Sequence, residues 1–162
     1  MTSTFLAARS LTASLVRSFV FGALVLTGAA CSGDADEGTG QTADEFAAES
    51  KLTFVDCGSL TFGNPAPTCT GPSAEVACLQ AHMADCTPAR LRQTFTSDEG
   101  APIVHDYLVV PGKECAVQVF SDNRADSYAA HRSVSQQGYG VSCVGTQEVN
   151  GCESVQPICP IM

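Results

Sequence analysis

Nine cysteines in 162 residues constrain this chain more than any other feature. Cys31 follows directly behind a basic start and an apolar run. The other eight, Cys57, Cys69, Cys78, Cys86, Cys115, Cys143, Cys152 and Cys159, lie downstream in the C-terminal part. Eight is an even set that can close completely as disulfides, although spacing alone leaves the pairing open. No two of them show the close spacing of a zinc knuckle or of a dithiol redox motif. Four structural bridges are therefore expected in an oxidising compartment, with no metal ligands and no cofactor.

The first thirty residues read as an export signal. Arg9 and Arg17 are their only charges, Ser18 to Leu26 supply the apolar centre, and Gly28, Ala29 and Ala30 supply small residues before the cleavage point. The uncharged stretch Ser18 to Gly33 is shorter than the roughly 20 apolar residues of a membrane span, so cleavage is the expected fate. Gly28-Ala29-Ala30-Cys31 resembles the cleavage motif of bacterial lipoproteins, matching at Ala29, Ala30 and Cys31 and departing at Gly28. That resemblance implies acylation of Cys31, residence in the lipid bilayer of the cell envelope, and, with Ser32 next in line, sorting to the outer membrane. The alternative is ordinary cleavage near Ala30 and a secreted soluble protein.

Residues 31–51 then read as an acidic, flexible tether. Asp34, Asp36, Glu37, Asp44, Glu45 and Glu49 stand against one lysine, and Phe46 is the only large apolar group. Thr42 and Glu45 have capping-box spacing, which predicts at most a short, marginal turn. Asp34, Asp36 and Glu45 match three positions of a calcium-loop template, but Gly38 and Thr39 break it, and the segment reads as a solvated tether. Removing Arg9 and Arg17 leaves six basic against seventeen acidic side chains, a net charge of −11. Such a surface repels nucleic acid and anionic head groups.

Residues 52–162 suffice for one domain, which composition gives no reason to expect as more than a monomer. Ser73 predicts a helix start and Thr87-Pro88 its end, with Val76, Leu79, Met83 and Cys86 forming one apolar stripe. From Ala89 the period changes to two: Ala89, Leu91 and Phe95 alternate with Arg90, Arg92, Thr94 and Thr96, interrupted by Gln93. Further strands are expected at Ile103–Val110, Cys115–Phe120 and Val141–Val144, and near Leu60 to Phe62. Asn150-Gly151 marks a turn and Cys152 to Cys159 an irregular tail. The expected fold class is α+β, one helix packed on a small antiparallel sheet and stapled by disulfides. The run ACLQAHMADCTPAR followed by CAVQVF resembles the cysteine layout of small exported bacterial lipoproteins that carry no assigned activity.

Catalytic chemistry finds no motif here. His82, His105 and His131 are isolated, and His105 and Asp106, as strand neighbours, point to opposite faces. Arg90 and Arg92 share one strand face and are expected to pair with the domain's own acids. The loop NRADSYAAHR, with Arg124, Tyr128, His131 and Arg132, is the expected contact surface. Together these readings predict a non-catalytic, membrane-tethered envelope or surface module that binds an envelope or extracellular partner. The alternatives are a disulfide-rich protease inhibitor, with a stapled loop over Gly58 to Thr68, and a small exported enzyme.

Overall fold

A computed structural model of the chain describes residues 40–63 and 73–159. The export segment, Cys31 and Cys69 lie outside the described residues. Among those described, no helix is long and apolar enough to cross a membrane.

The first element is a helix where a tether was expected. Thr42 caps α1 (Ala43–Ser50): its hydroxyl accepts from the Glu45 N–H at 3.2 Å, and the Glu45 carboxylate accepts from the Thr42 N–H at 2.8 Å. The Thr42 N–H, together with the Thr42 hydroxyl, which donates to the same carboxylate at 2.9 Å, holds the Glu45 carboxyl below its usual range. A capping box alone cannot order eight residues, and tertiary packing supplies the rest. Ala43, Phe46 and Ala47 pack with Leu108 and Phe120, the two phenyl rings 5.3 Å apart. The folded part therefore includes residues that the sequence reading assigned to the tether, because their apolar partners stand more than sixty positions away.

Next come β1 (Val55–Phe62), α2 (Ala74–Asp85), β2 (Ala89–Thr96), β3 (Pro102–Val110), β4 (Ala116–Asp122) and β5 (Val134–Gly140). The Ser73 hydroxyl accepts from the Val76 N–H, and Val76 and Leu79 are fully buried, as the stripe predicts. Because α2 is a crossover rather than a tight turn, it returns the chain parallel to its start, and β1 pairs parallel with β2. The pairs β2–β3, β3–β4 and β4–β5 are antiparallel, so the sheet runs β1-β2-β3-β4-β5. Between Asp56 and Ser59 the β1 register shifts at Gly58, whose φ of 96° disfavours any side chain. At that bulge Cys57 turns into the core beside α2.

A short 3-10 turn (Val141–Cys143) leads into β6 (Val144–Val149) and β7 (Cys152–Pro157), a separate antiparallel hairpin. Asn150 and Gly151 both take positive φ (52° and 79°), as a two-residue hairpin turn requires. Among the described polar contacts, the hairpin docks on the main sheet through the backbone N–H and carbonyl of one residue, Val155. The Tyr107 hydroxyl donates to the Val155 carbonyl at 2.9 Å. With its amide turned to match, fully buried Gln93 accepts from the Val155 N–H at 2.6 Å and donates to the Val155 carbonyl at 3.1 Å. Burial pushes the Tyr107 phenol well above its ordinary pKa, so it stays a donor.

The expected architecture of one helix on a small antiparallel sheet is thus corrected. The described residues are mostly sheet, with a mixed five-stranded sheet, a second two-stranded sheet and two α-helices. The strand expected at Val141–Val144 begins only at Val144, and the tail from Cys152 is regular β7. The polar strand β5 escaped notice because VSQQGYG buries Val134 alone and shows no apolar alternation.

Three bridges are described: Cys57–Cys78 joins β1 to α2, Cys86–Cys115 joins the end of α2 to the entry of β4, and Cys143–Cys159 closes the chain around the hairpin. Cys152, at the start of β7, is disulfide-bonded as well.

Candidate functional site

The alternating arginines of β2 face α1, not α2. Arg90 Nε and Arg92 Nε both donate to one oxygen of Asp106, at 2.9 and 3.0 Å, while Arg92 Nη2 takes the other oxygen at 3.0 Å. Asp106 is nearly buried. Arg90 Nη2 stands 2.9 Å from the same Asp106 oxygen without the alignment of a hydrogen bond. Arg90 also reaches Asp44 of α1, and that hydrogen bond holds the Asp44 carboxyl below its ordinary value against slight burial. Two guanidiniums thus meet two carboxylates, the internal pairing expected from the sequence. Cavities of about 260 Å³ and 190 Å³ flank this cluster, the first beside Asp56 and Ser59, the second beside Asp122 and Arg124. A neutral cluster leaves little net field for a charged ligand, which argues for a structural role.

The histidines are separated. His105 lies on the opposite face of β3 from Asp106, its ring 5.2 Å from that of Phe95 and 6.5 Å from that of Tyr107. Burial depresses its pKa, and the Asp106 charge offsets this only in part. Protonation then favours the unfolded chain, so the His105 contribution is complete above the unfolded value of about 6.5 and is lost as pH falls below it. The melting temperature should decline as pH drops from 7.5 to 5.5, with a shallower slope in His105→Phe. Equal slopes would refute this assignment. His82 Nδ1 contacts the Thr87 hydroxyl at 2.6 Å near the end of α2, and His131 sits in the loop after β4.

That loop is internally pinned. Asn123 Oδ1 accepts from the Ser133 N–H at 2.7 Å and its Nδ2 donates to the His131 carbonyl at 3.0 Å, closing the loop at its base. Asp126 is only 8% exposed, and its carboxylate accepts from the Tyr128 N–H at 3.0 Å. Arg132 Nη2 donates to the Ser127 carbonyl at 3.2 Å. Tyr128 itself is 73% exposed, a large aromatic group with little to cover it. The four residues expected to share a contact surface divide into two sets. Tyr128, His131 and Arg132 belong to the pinned loop, whereas Arg124 forks onto Asp122 (3.0 and 2.7 Å) beside the α1 cavity.

A wider groove of about 550 Å³ opens at one end of the sheet, over Phe62 and Phe95, stacked 4.9 Å apart, and rimmed by Asp98 and Glu99. Gly63, Thr96 and Asn150 also line it. Residues 58–62 of the expected inhibitor loop are part of β1, hydrogen-bonded to β2, and residues 64–68 lie outside the described residues.

One association escaped the sequence reading. Ligand-capable atoms of Cys57, Cys78 and His82 all lie within 4.8 Å of one another. Cys78 and His82 are four residues apart on α2, a same-face spacing visible in the sequence, but Cys57 arrives from β1 only through the fold. No protein-family model, no curated protein and no solved structure matches this chain.

Proposed function

We propose that the protein is a non-catalytic binding module of the bacterial cell envelope, held to the outer membrane by acylated Cys31 and engaging an envelope or extracellular partner through the loop after β4. The observation that carries this reading is the exposed Tyr128 on a loop pinned by Asn123 and Asp126. Tyrosine and arginine are favoured as binding anchors, and a loop already ordered loses little entropy on association. Arg132 and His131 give the loop a basic character within an acidic domain, which suits a partner with an acidic patch beside an aromatic socket. The bridges suit life outside the cytoplasm, where they hold a small core together.

Two linked measurements test the reading. Cys31→Ser should leave the domain folded but move it from the membrane fraction to the soluble fraction; retention in the membrane would remove the lipid anchor. A photo-crosslinking residue placed at 128 in the native envelope should capture a single partner, and Tyr128→Ala should weaken its binding by at least about thirtyfold, near 2 kcal/mol. Absence of any crosslink, or unchanged affinity of Tyr128→Ala, would overturn the loop as the contact.

A further inference from the structure

We infer that Cys57, Cys78 and His82 form a latent site for a thiophilic d10 cation such as Zn2+, closed while the Cys57–Cys78 disulfide is intact and opened by a dithiol reductant. The two sulfurs and a ring nitrogen already converge, with all three ligand atoms within 4.8 Å of one another. Cys78 and His82 present side chains from one face of α2, and the β1 bulge brings Cys57 in from across the interface. Three such ligands leave a fourth tetrahedral position open to water or to a further donor.

Thr87 gives the histidine the support that metal-binding imidazoles use. Its hydroxyl stands 2.6 Å from His82 Nδ1. In the tautomer with Nδ1 protonated, that N–H donates to Thr87 Oγ1 and Nε2 keeps its lone pair for a cation, while the contact fixes the ring. The same carbonyl end of α2 is tied down independently, because His82 O accepts from both the Cys86 and the Thr87 N–H.

The fold tolerates opening of this bridge. The far end of α2 stays joined to β4 through Cys86–Cys115, and its inner face stays anchored by fully buried Val76 and Leu79. In the opening step the S–S bond accepts two electrons and two protons from the dithiol, which becomes a disulfide, and two thiols form. Cation binding displaces one proton from each thiol. The product, a divalent cation with two thiolates and a neutral imidazole, carries no net charge, which suits a partly buried position.

The test uses the mature protein, treated with limiting phosphine, which draws oxygen from water and ends as phosphine oxide while the bridge becomes two thiols. Alkylation followed by peptide mapping identifies the preparation in which Cys57 and Cys78 are labelled. Titration with Co2+ as a spectroscopic stand-in for Zn2+ should then give one equivalent with a thiolate charge-transfer band, absent from the oxidised protein. Thr87→Val should weaken Co2+ binding about 10- to 100-fold, and His82→Ala by more, with the fold retained by circular dichroism. A Cys143→Ala, Cys159→Ala double variant should keep the full equivalent. No cobalt band once Cys57 and Cys78 are reduced, or equal affinity in His82→Ala, would each overturn the inference.

Discussion

Asp106→Ala should remove about 3–5 kcal/mol of folding stability, the largest loss expected from any single polar substitution in the domain. Asp106 accepts three hydrogen bonds from Arg90 and Arg92, and its side chain is 8% exposed. Its removal leaves a partly buried guanidinium whose remaining ion pair among the described residues is with Asp44, which is 72% exposed. Exposed pairs are screened by water and salt, so Asp44→Ala should cost no more than about 1 kcal/mol. The contrast is the test: urea denaturation should show a large fall in midpoint for Asp106→Ala and a small, salt-sensitive fall for Asp44→Ala, with unchanged slopes. Equal effects would mean that Asp106 is not the main counter-charge of Arg90 and Arg92.

Gln93→Ala is expected to cost about 3 kcal/mol, from an unsatisfied Val155 N–H and a cavity in the core. The variant should do more than lower stability. Gln93 and Tyr107 are the two side chains that grip Val155, so the β6–β7 hairpin should loosen selectively. Hydrogen exchange at residues 144–157 should accelerate well before that of β2 to β4. Tyr107→Phe removes one of the two donors to the Val155 carbonyl, and its effect should be non-additive with Gln93→Ala because the two share that acceptor. Uniform acceleration across the domain, or strict additivity, would show that the hairpin is held by apolar packing alone.

Local signals in the sequence proved reliable where one element carried all the information. Ser73, Thr87 and Pro88 bound α2 because caps and breakers act on the backbone within a few positions. Strands β2, β3 and β4 follow their β-rich runs, and Asn150-Gly151 marks the hairpin turn because few residues take two successive positive φ values. The opposed faces of His105 and Asp106 follow from the two-residue period of a strand.

Elements stabilised by distant partners were missed. Phe46 looks solitary in an acidic run until Phe120 is placed 5.3 Å away, and only then is α1 more than a capping box. Gln93 reads as a flaw in an apolar alternation, yet it is the fully buried residue that bonds the N–H and carbonyl of Val155. The parallel β1–β2 pair and the short turn before β6 also depend on how α2 and the hairpin settle against the sheet.

The cysteine arithmetic, the acidic charge, the α2 boundaries and the alternating face of β2 are consequences of composition and short-range backbone geometry, and the sequence by itself determined them. Tertiary structure decided the pairing of the described cysteines, the order of the sheet, the neutralisation of Arg90 and Arg92 by Asp106 and Asp44, and the convergence of His82 on the Cys57–Cys78 bridge. These depend on contacts between residues far apart along the chain, selected by which apolar faces can be buried together, and no local pattern encodes that choice.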